Sequence, residues 1–190
     1  FRVGEDWRIP LVTVYGLAQP VLPATIADPA AAIWKTINIL RAVGWYALAP
    51  FLLYGLFTVW KAPAGRRRRL LLWLAAMVGF WIVLSSARAG GDQWDNPRYR
   101  LLLLPWMSLL AVWAIGFARQ RHDPWLGRWL LVEAVFLLLF TNWYIERYTG
   151  FGIPIGLPVT ALLVLIFTLL ILAGGWWLDF RHKKRKTNNT

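Results

Sequence analysis

The 190-residue chain is 58% hydrophobic and only 16% charged, has a mean hydropathy of +0.49 and carries fourteen Trp. Soluble domains average about 45–50% apolar residues, so this composition excludes an ordinary soluble globule and points to an all-α, polytopic membrane helical bundle with aromatic anchors at the lipid–water interfaces. The absence of Cys rules out disulfides, thiolate metal sites and a cysteine nucleophile, and His122 and His182 sit in basic loop and tail segments unsuited to an intramembrane haem, so no cofactor is expected.

The first residue is Phe, and FRVGEDWRIP lacks the basic, apolar and small-residue succession of a signal peptide, so the chain is expected to continue something longer. Residues 1–42 read as an extracytoplasmic segment. The stretch 11–26 is apolar, but Pro10, Pro20 and Pro23 divide it into pieces too short to span, which predicts loop or surface-lying chain. Asp28-Pro29 reads as an N-cap followed by Pro at the first helical position. Beyond it Ile33, Trp34, Ile37 and Leu40 recur at helical spacing between Lys35, Asn38 and Arg41. Two readings stand open: an amphipathic helix on the outer membrane surface that turns inward near Gly44, or an outward extension of the first span.

A bilayer core needs about 20 mostly apolar residues per helix. Five stretches approach that length, 43–60, 70–87, 101–118, 129–145 and 158–178, and together predict a five-helix transmembrane domain over residues 43–180. Pro105 falls in the first turn of the third stretch, where a missing N–H has no intrahelical partner to lose. Glu133 is the only carboxylate inside a predicted span, a candidate proton carrier or ion-pair partner; its position near the cytoplasmic end favours a structural role, reaching the interface or pairing with Arg128.

The charges set the orientation. Five spans put Lys61, the Arg66–Arg69 run, Arg119, Arg121, Arg128 and the basic tail of residues 181–190 on one side, thirteen Lys/Arg against three acids. The other side holds eight Lys/Arg and six acids. The positive-inside rule then places the N-terminus outside and the C-terminus in the cytoplasm of a multi-pass plasma-membrane protein. The net charge of +12 does not imply nucleic acid: RHKKRK follows a span directly and reads as a topology signal and a partner for anionic membrane lipid. Asn188-Asn189-Thr190 fits the glycosylation sequon, but on the predicted cytoplasmic side it is expected to be silent.

The most unusual loop is ARAGGDQWDNPRYR, residues 87–100, on the predicted outer side. It holds Arg88, Arg98, Arg100, Asp92, Asp95, the Gly90-Gly91 pair, Trp94 and Tyr99, and Asn96-Pro97 marks a turn before the third helix. Arg98 and Arg100 would stand at that helix's mouth, where a guanidinium can make paired hydrogen bonds to a phosphate at the head-group level. The competing reading is that the Asp and Arg residues pair with each other and close the loop. No His-Glu metal spacing, Gly-rich phosphate loop or Ser-His-Asp arrangement can be assembled, so neither catalytic nor metal-ligating residues are named.

The string NPRYRLLLLPWMSLLAVWA resembles the late extracytoplasmic loop and following span of membrane glycosyltransferases of the GT-C class, especially glycosyltransferase family 39, on the strength of Arg98-Tyr99-Arg100 and Pro105. Upstream, Trp7 with Pro10 and the stretch ADPAAAIW at 27–34 are similar to a segment of the protein mannosyltransferase relatives, with Asp28 where Asn is usual. The resemblance covers residues 5–118. It implies a polytopic enzyme that takes a sugar from a polyprenyl-phosphate donor at the extracytoplasmic face and passes it to an acceptor. Its catalytic Asp lies in the first extracytoplasmic loop of a much longer chain, and no position here corresponds to it. The resemblance therefore implies the C-terminal membrane part of such an enzyme, with Arg98 and Arg100 facing the donor phosphate. The alternative from another class is a non-catalytic integral subunit of a larger membrane complex, its Trp-rich faces packed on partner helices. A transporter fragment ranks third, since no span is broken at mid-membrane and no internal repeat is apparent.

Overall fold

The computed structural model describes residues 5–19, 25–26, 30–89 and 95–187. Every regular element among them is helical: α1 (Glu5–Ala18), α2 (Ala32–Thr58) running into a 3-10 turn (Val59–Lys61), α3 (Arg66–Ala89), the short α4 (Asp95–Leu101), α5 (Leu104–Arg121), α6 (Trp125–Thr149) and α7 (Leu157–Thr187). The Asp28-Pro29 cap, the Gly90-Gly91 pair, Asp92, Trp94 and the Asn188 sequon lie outside the described residues.

Four helical segments among the described residues are long and apolar enough to cross a membrane: Ala32–Lys61, Arg66–Arg88, Trp125–Thr149 and Leu157–Arg181. They contain four of the five predicted stretches. The remaining stretch, 101–118, is different. Its helix begins only at Leu104, after a turn closed by the Leu103 N–H on the Arg100 carbonyl, and ends in Arg119 and Arg121. Its 18 residues rise about 27 Å, just short of a hydrocarbon core of about 30 Å.

Residues 11–18, expected as loop or surface-lying chain, belong to α1, because Pro10 sits in its second turn, where it removes one hydrogen bond without ending the helix; at 14 residues α1 is too short to span, as the proline spacing implies. Of the two arrangements open for residues 33–41, the structure has the second: one uninterrupted helix from Ala32 to Thr58.

The chain divides into two compact units, Phe1–Gln120 and Arg121–Thr190. In the first, α1 packs along α3, and α2, α3 and α5 share an apolar core. Leu52 and Val59 meet Ala75, Val78 and Ile82 of α3 and Met107, Leu110 and Ala111 of α5. Gly55 permits the closest approach: a Cβ there would lie 3.2 Å from Leu110 Cγ and 3.4 Å from the Ala114 Cβ. A small residue at such a crossing is the usual device of membrane bundles, where packing replaces the hydrophobic drive between helices.

The second unit is a two-helix hairpin of α6 and α7. Gly150 ends α6 in the left-handed conformation (φ +68°) and returns its N–H to the Glu146 carbonyl at 2.8 Å. The Asn142 amide then pins the loop, its Nδ2 donating to the Ile153 carbonyl and its Oδ1 accepting the Ile153 N–H, both at 3.1 Å. At the other end Arg128 makes a two-pronged ion pair with Asp179, both contacts 2.7 Å, and lies over the Trp125 ring at 4.6 Å. This replaces the expected pairing of Arg128 with Glu133. Asp179 offers both carboxylate oxygens to the planar guanidinium, a fit that the Glu133 side chain does not make; Glu133 Oε1 is buried without a hydrogen-bond partner.

Candidate functional site

The site is built in the first unit where α2 passes the junction of α4 and α5. From α2 come Ile37, Leu40, Arg41, Gly44, Trp45 and Leu48, which recur every three or four residues and so form one stripe. Arg100, Leu101, Leu104 and Met107 face them, and between the two walls lies a cleft of about 310 Å³. That volume falls at the lower end of small-ligand sites. Leu40, Gly44, Leu101 and Leu104 are exposed, so the cleft opens at the surface of the unit, whereas Met107 closes its floor at 2% exposure.

Arg100 is the best-held residue of the site, and its partners come from three helices. It is 4% exposed, and its two Nη groups donate to the carbonyls of Gly16 and Gln19 at the end of α1 and, at 2.9 Å, to Ser86 Oγ of α3. The guanidinium plane lies 4.0 Å from the centroid of the Trp45 ring. Trp45 Nε1 donates to the Leu17 carbonyl at 3.0 Å, and the Tyr46 hydroxyl donates to that of Ala18. The orphan carbonyls that end any helix are thus met here by three side chains, and the cation sits at the negative end of the α1 dipole.

No carboxylate among the described residues pairs with Arg100; the competing reading, closure of the loop by Arg–Asp pairs, falls on Asp92 and Asp95, whose side chains lie outside the described residues. Its Nε is buried without a partner. Arg98, the other residue expected at a donor phosphate, is exposed on α4 and does not line the cleft. Arg41, which sequence reasoning treated only as one polar position of an amphipathic helix, does line it, one turn before Trp45. No hydrogen bond or ion pair holds Arg41 among the described residues.

No known protein family, curated protein or solved structure matches the chain. The chemistry of the site therefore rests on its own geometry. Among the described residues the cleft is apolar, with two cations, no facing acid and no nucleophile, paired carboxylates or metal-binding group, which suits an amphiphile with an anionic head; no His/Asp/Glu cluster that could hold a metal ion occurs among them either.

Gly44 gives the cleft its depth. A Cβ added there meets nothing within 4 Å. Gly44→Ala is expected to raise stability by up to about 1 kcal/mol through helix propensity. Thermal unfolding in detergent checks this, and a loss would mean that the wall is closed against another group.

Proposed function

We propose that the chain is the C-terminal membrane part of a polyprenyl-phosphate-sugar-dependent glycosyltransferase acting at the extracytoplasmic face of the plasma membrane. The observation that carries this reading is the apolar cleft bordered by Arg41 and Arg100. In the proposed orientation, with the N-terminus outside, the cleft lies at the outer end of α2, at the level where a lipid-linked phosphate is presented. α5 makes the third of five crossings, extended at its outer end by the turn at Leu102 and by α4. Of the two arginines that the family resemblance implies at the donor phosphate, Arg100 fits the role through its place on the cleft wall. The catalytic acid is supplied from outside these residues.

A specific observation favours the second reading, an integral subunit of a larger membrane complex. In the candidate spans of the second unit, α6 and α7, only 0% and 6% of the most apolar window is buried, which leaves their faces open to lipid or to other membrane helices. One experiment separates the two. Membranes containing the chain in its native context, and membranes from a deletion strain, are given a radiolabelled polyprenyl-phosphate hexose. The enzyme reading expects release of polyprenyl phosphate and labelled product only where the chain is present. Equal release from both membranes, together with co-purification of the chain with other integral proteins, would establish the subunit instead.

A further inference from the structure

We propose that the cleft is an anion-selective lipid site in which Arg41 directly contacts the phosphate-type head group, while Arg100 supplies a fixed positive charge from beneath. The proposal deepens the preceding reading of the cleft as a lipid site and rests on it, but it does not depend on sugar transfer.

Arg100 is fixed by its own partners: both Nη groups are engaged with α1 and Ser86, and the ring of Trp45 covers one face. Its Nη groups are committed to the protein and its Nε, though unpartnered, is buried, so a head group meets its charge; that charge is held in an apolar wall without a countercharge among the described residues. Charges in such surroundings interact far more strongly than in water. Arg41 differs on each count. It is half-buried on the same wall, one helical turn from the ring on which Arg100 rests, and no hydrogen bond or ion pair holds its guanidinium among the described residues.

Two cations therefore converge on one apolar cleft with no acid among the described residues to balance them. A neutral lipid would fill the volume and leave both charges uncompensated, whereas an amphiphile with an anionic oxygen at its head satisfies Arg41 and neutralises the field of Arg100. The planar fork of Arg41 suits a phosphate, and the exposed Leu40, Leu101 and Leu104 at the opening continue as apolar surface for the tail. The head-group chemistry is shared by isoprenoid phosphates, bilayer phospholipids and free phosphate.

The test uses the full chain in nanodiscs of phosphatidylcholine, with farnesyl phosphate as probe and farnesol as its neutral counterpart. Farnesyl phosphate is expected to bind roughly tenfold or more tightly than farnesol, the range that a charge-assisted hydrogen bond contributes. Arg41→Gln abolishes the preference and Arg41→Lys keeps part of it. Lys35→Gln, on the same helix outside the cleft, leaves it intact. Gly44→Leu weakens both ligands, locates them in the cleft, and stands in if Arg41→Gln fails to fold. Displacement by phosphatidylglycerol supports the site and assigns it to bilayer phospholipid; displacement by inorganic phosphate supports the anion contact and assigns it to the free ion. Equal affinity for phosphate and alcohol, or an undiminished preference in Arg41→Gln, overturns the proposal. Loss of sugar transfer with intact farnesyl phosphate binding removes only the glycosyltransferase reading.

Discussion

Arg100→Ala is expected to cost about 3 kcal/mol and to release α1 from the first unit. The side chain donates to two carbonyls at the end of α1 and to the Ser86 hydroxyl, all in a buried setting, and its removal takes a charged donor from each of them. A hydrogen bond from a charged group is worth about 1.5–3 kcal/mol, offset in part because a buried charge disappears with it. The cation–π contact with Trp45 and the favourable placement at a helix C-terminus are lost as well. Arg100→Lys keeps the charge but not the fork, so it recovers only part of the loss. Ser86→Ala removes one weak partner and is expected to cost about 1 kcal/mol. Thermal unfolding ranks the three variants, and tryptic cleavage at Arg8 within α1 reports the detachment directly. An Arg100→Ala protein that unfolds within a degree of the wild type, with Arg8 still protected, would show that α1 is held by its packing on α3 alone.

The contrast between Arg100 and Arg41 shows how far this site was legible. Hydropathy alone located four of the helices that can cross a membrane, because each carries an 18-residue stretch of high mean hydropathy with few charges, and that property is local. Composition also singled out the arginines of the loop preceding α5. It could not separate Arg98 from Arg100, since they differ by two positions and hence by a large rotation about a helix: one side chain turns outward, the other into the gap between α1, α2 and α3. Nor could it assign Arg100 to the carbonyls of Gly16 and Gln19, more than eighty positions earlier, because backbone acceptors leave no mark in a residue pattern.

Arg41 was hidden for a different reason. Read as one polar position among several in 33–41, it looks like solvated surface; only the continuation of α2 past Gly44 makes residues 37, 41, 45 and 48 a single wall. A stripe in which Arg and Gly interrupt an otherwise apolar i, i+4 series was the available signal. In the second unit the same limit appears as a choice of partner. Glu133 was the nearer acid to Arg128 in sequence, but hairpin geometry brings Asp179 opposite it, 51 positions away. Antiparallel pairing of α6 and α7 decides that contact, and a pattern read along one helix does not contain it.

That ion pair also sets the expected behaviour of Gly175. A Cβ built at Gly175 would lie 2.5 Å from Arg128 Nε, 2.6 Å from Cδ and 2.7 Å from Cζ, well inside contact distance. A free arginine would swing away at little cost, but this one is held at its tip by Asp179 and along its face by Trp125. Gly175→Ala is therefore expected to destabilise the hairpin by about 1–2 kcal/mol, even though alanine favours helix by up to about 1 kcal/mol. The cost stays modest because the Asp179 side chain is 39% exposed and the pair is partly screened. A double-mutant cycle isolates the cause. In an Arg128→Ala background the obstruction is gone, and Gly175→Ala should become neutral or stabilising. If the substitution costs the same in both backgrounds, the glycine is required for the approach of the two backbones, and Arg128 is not what its missing side chain accommodates.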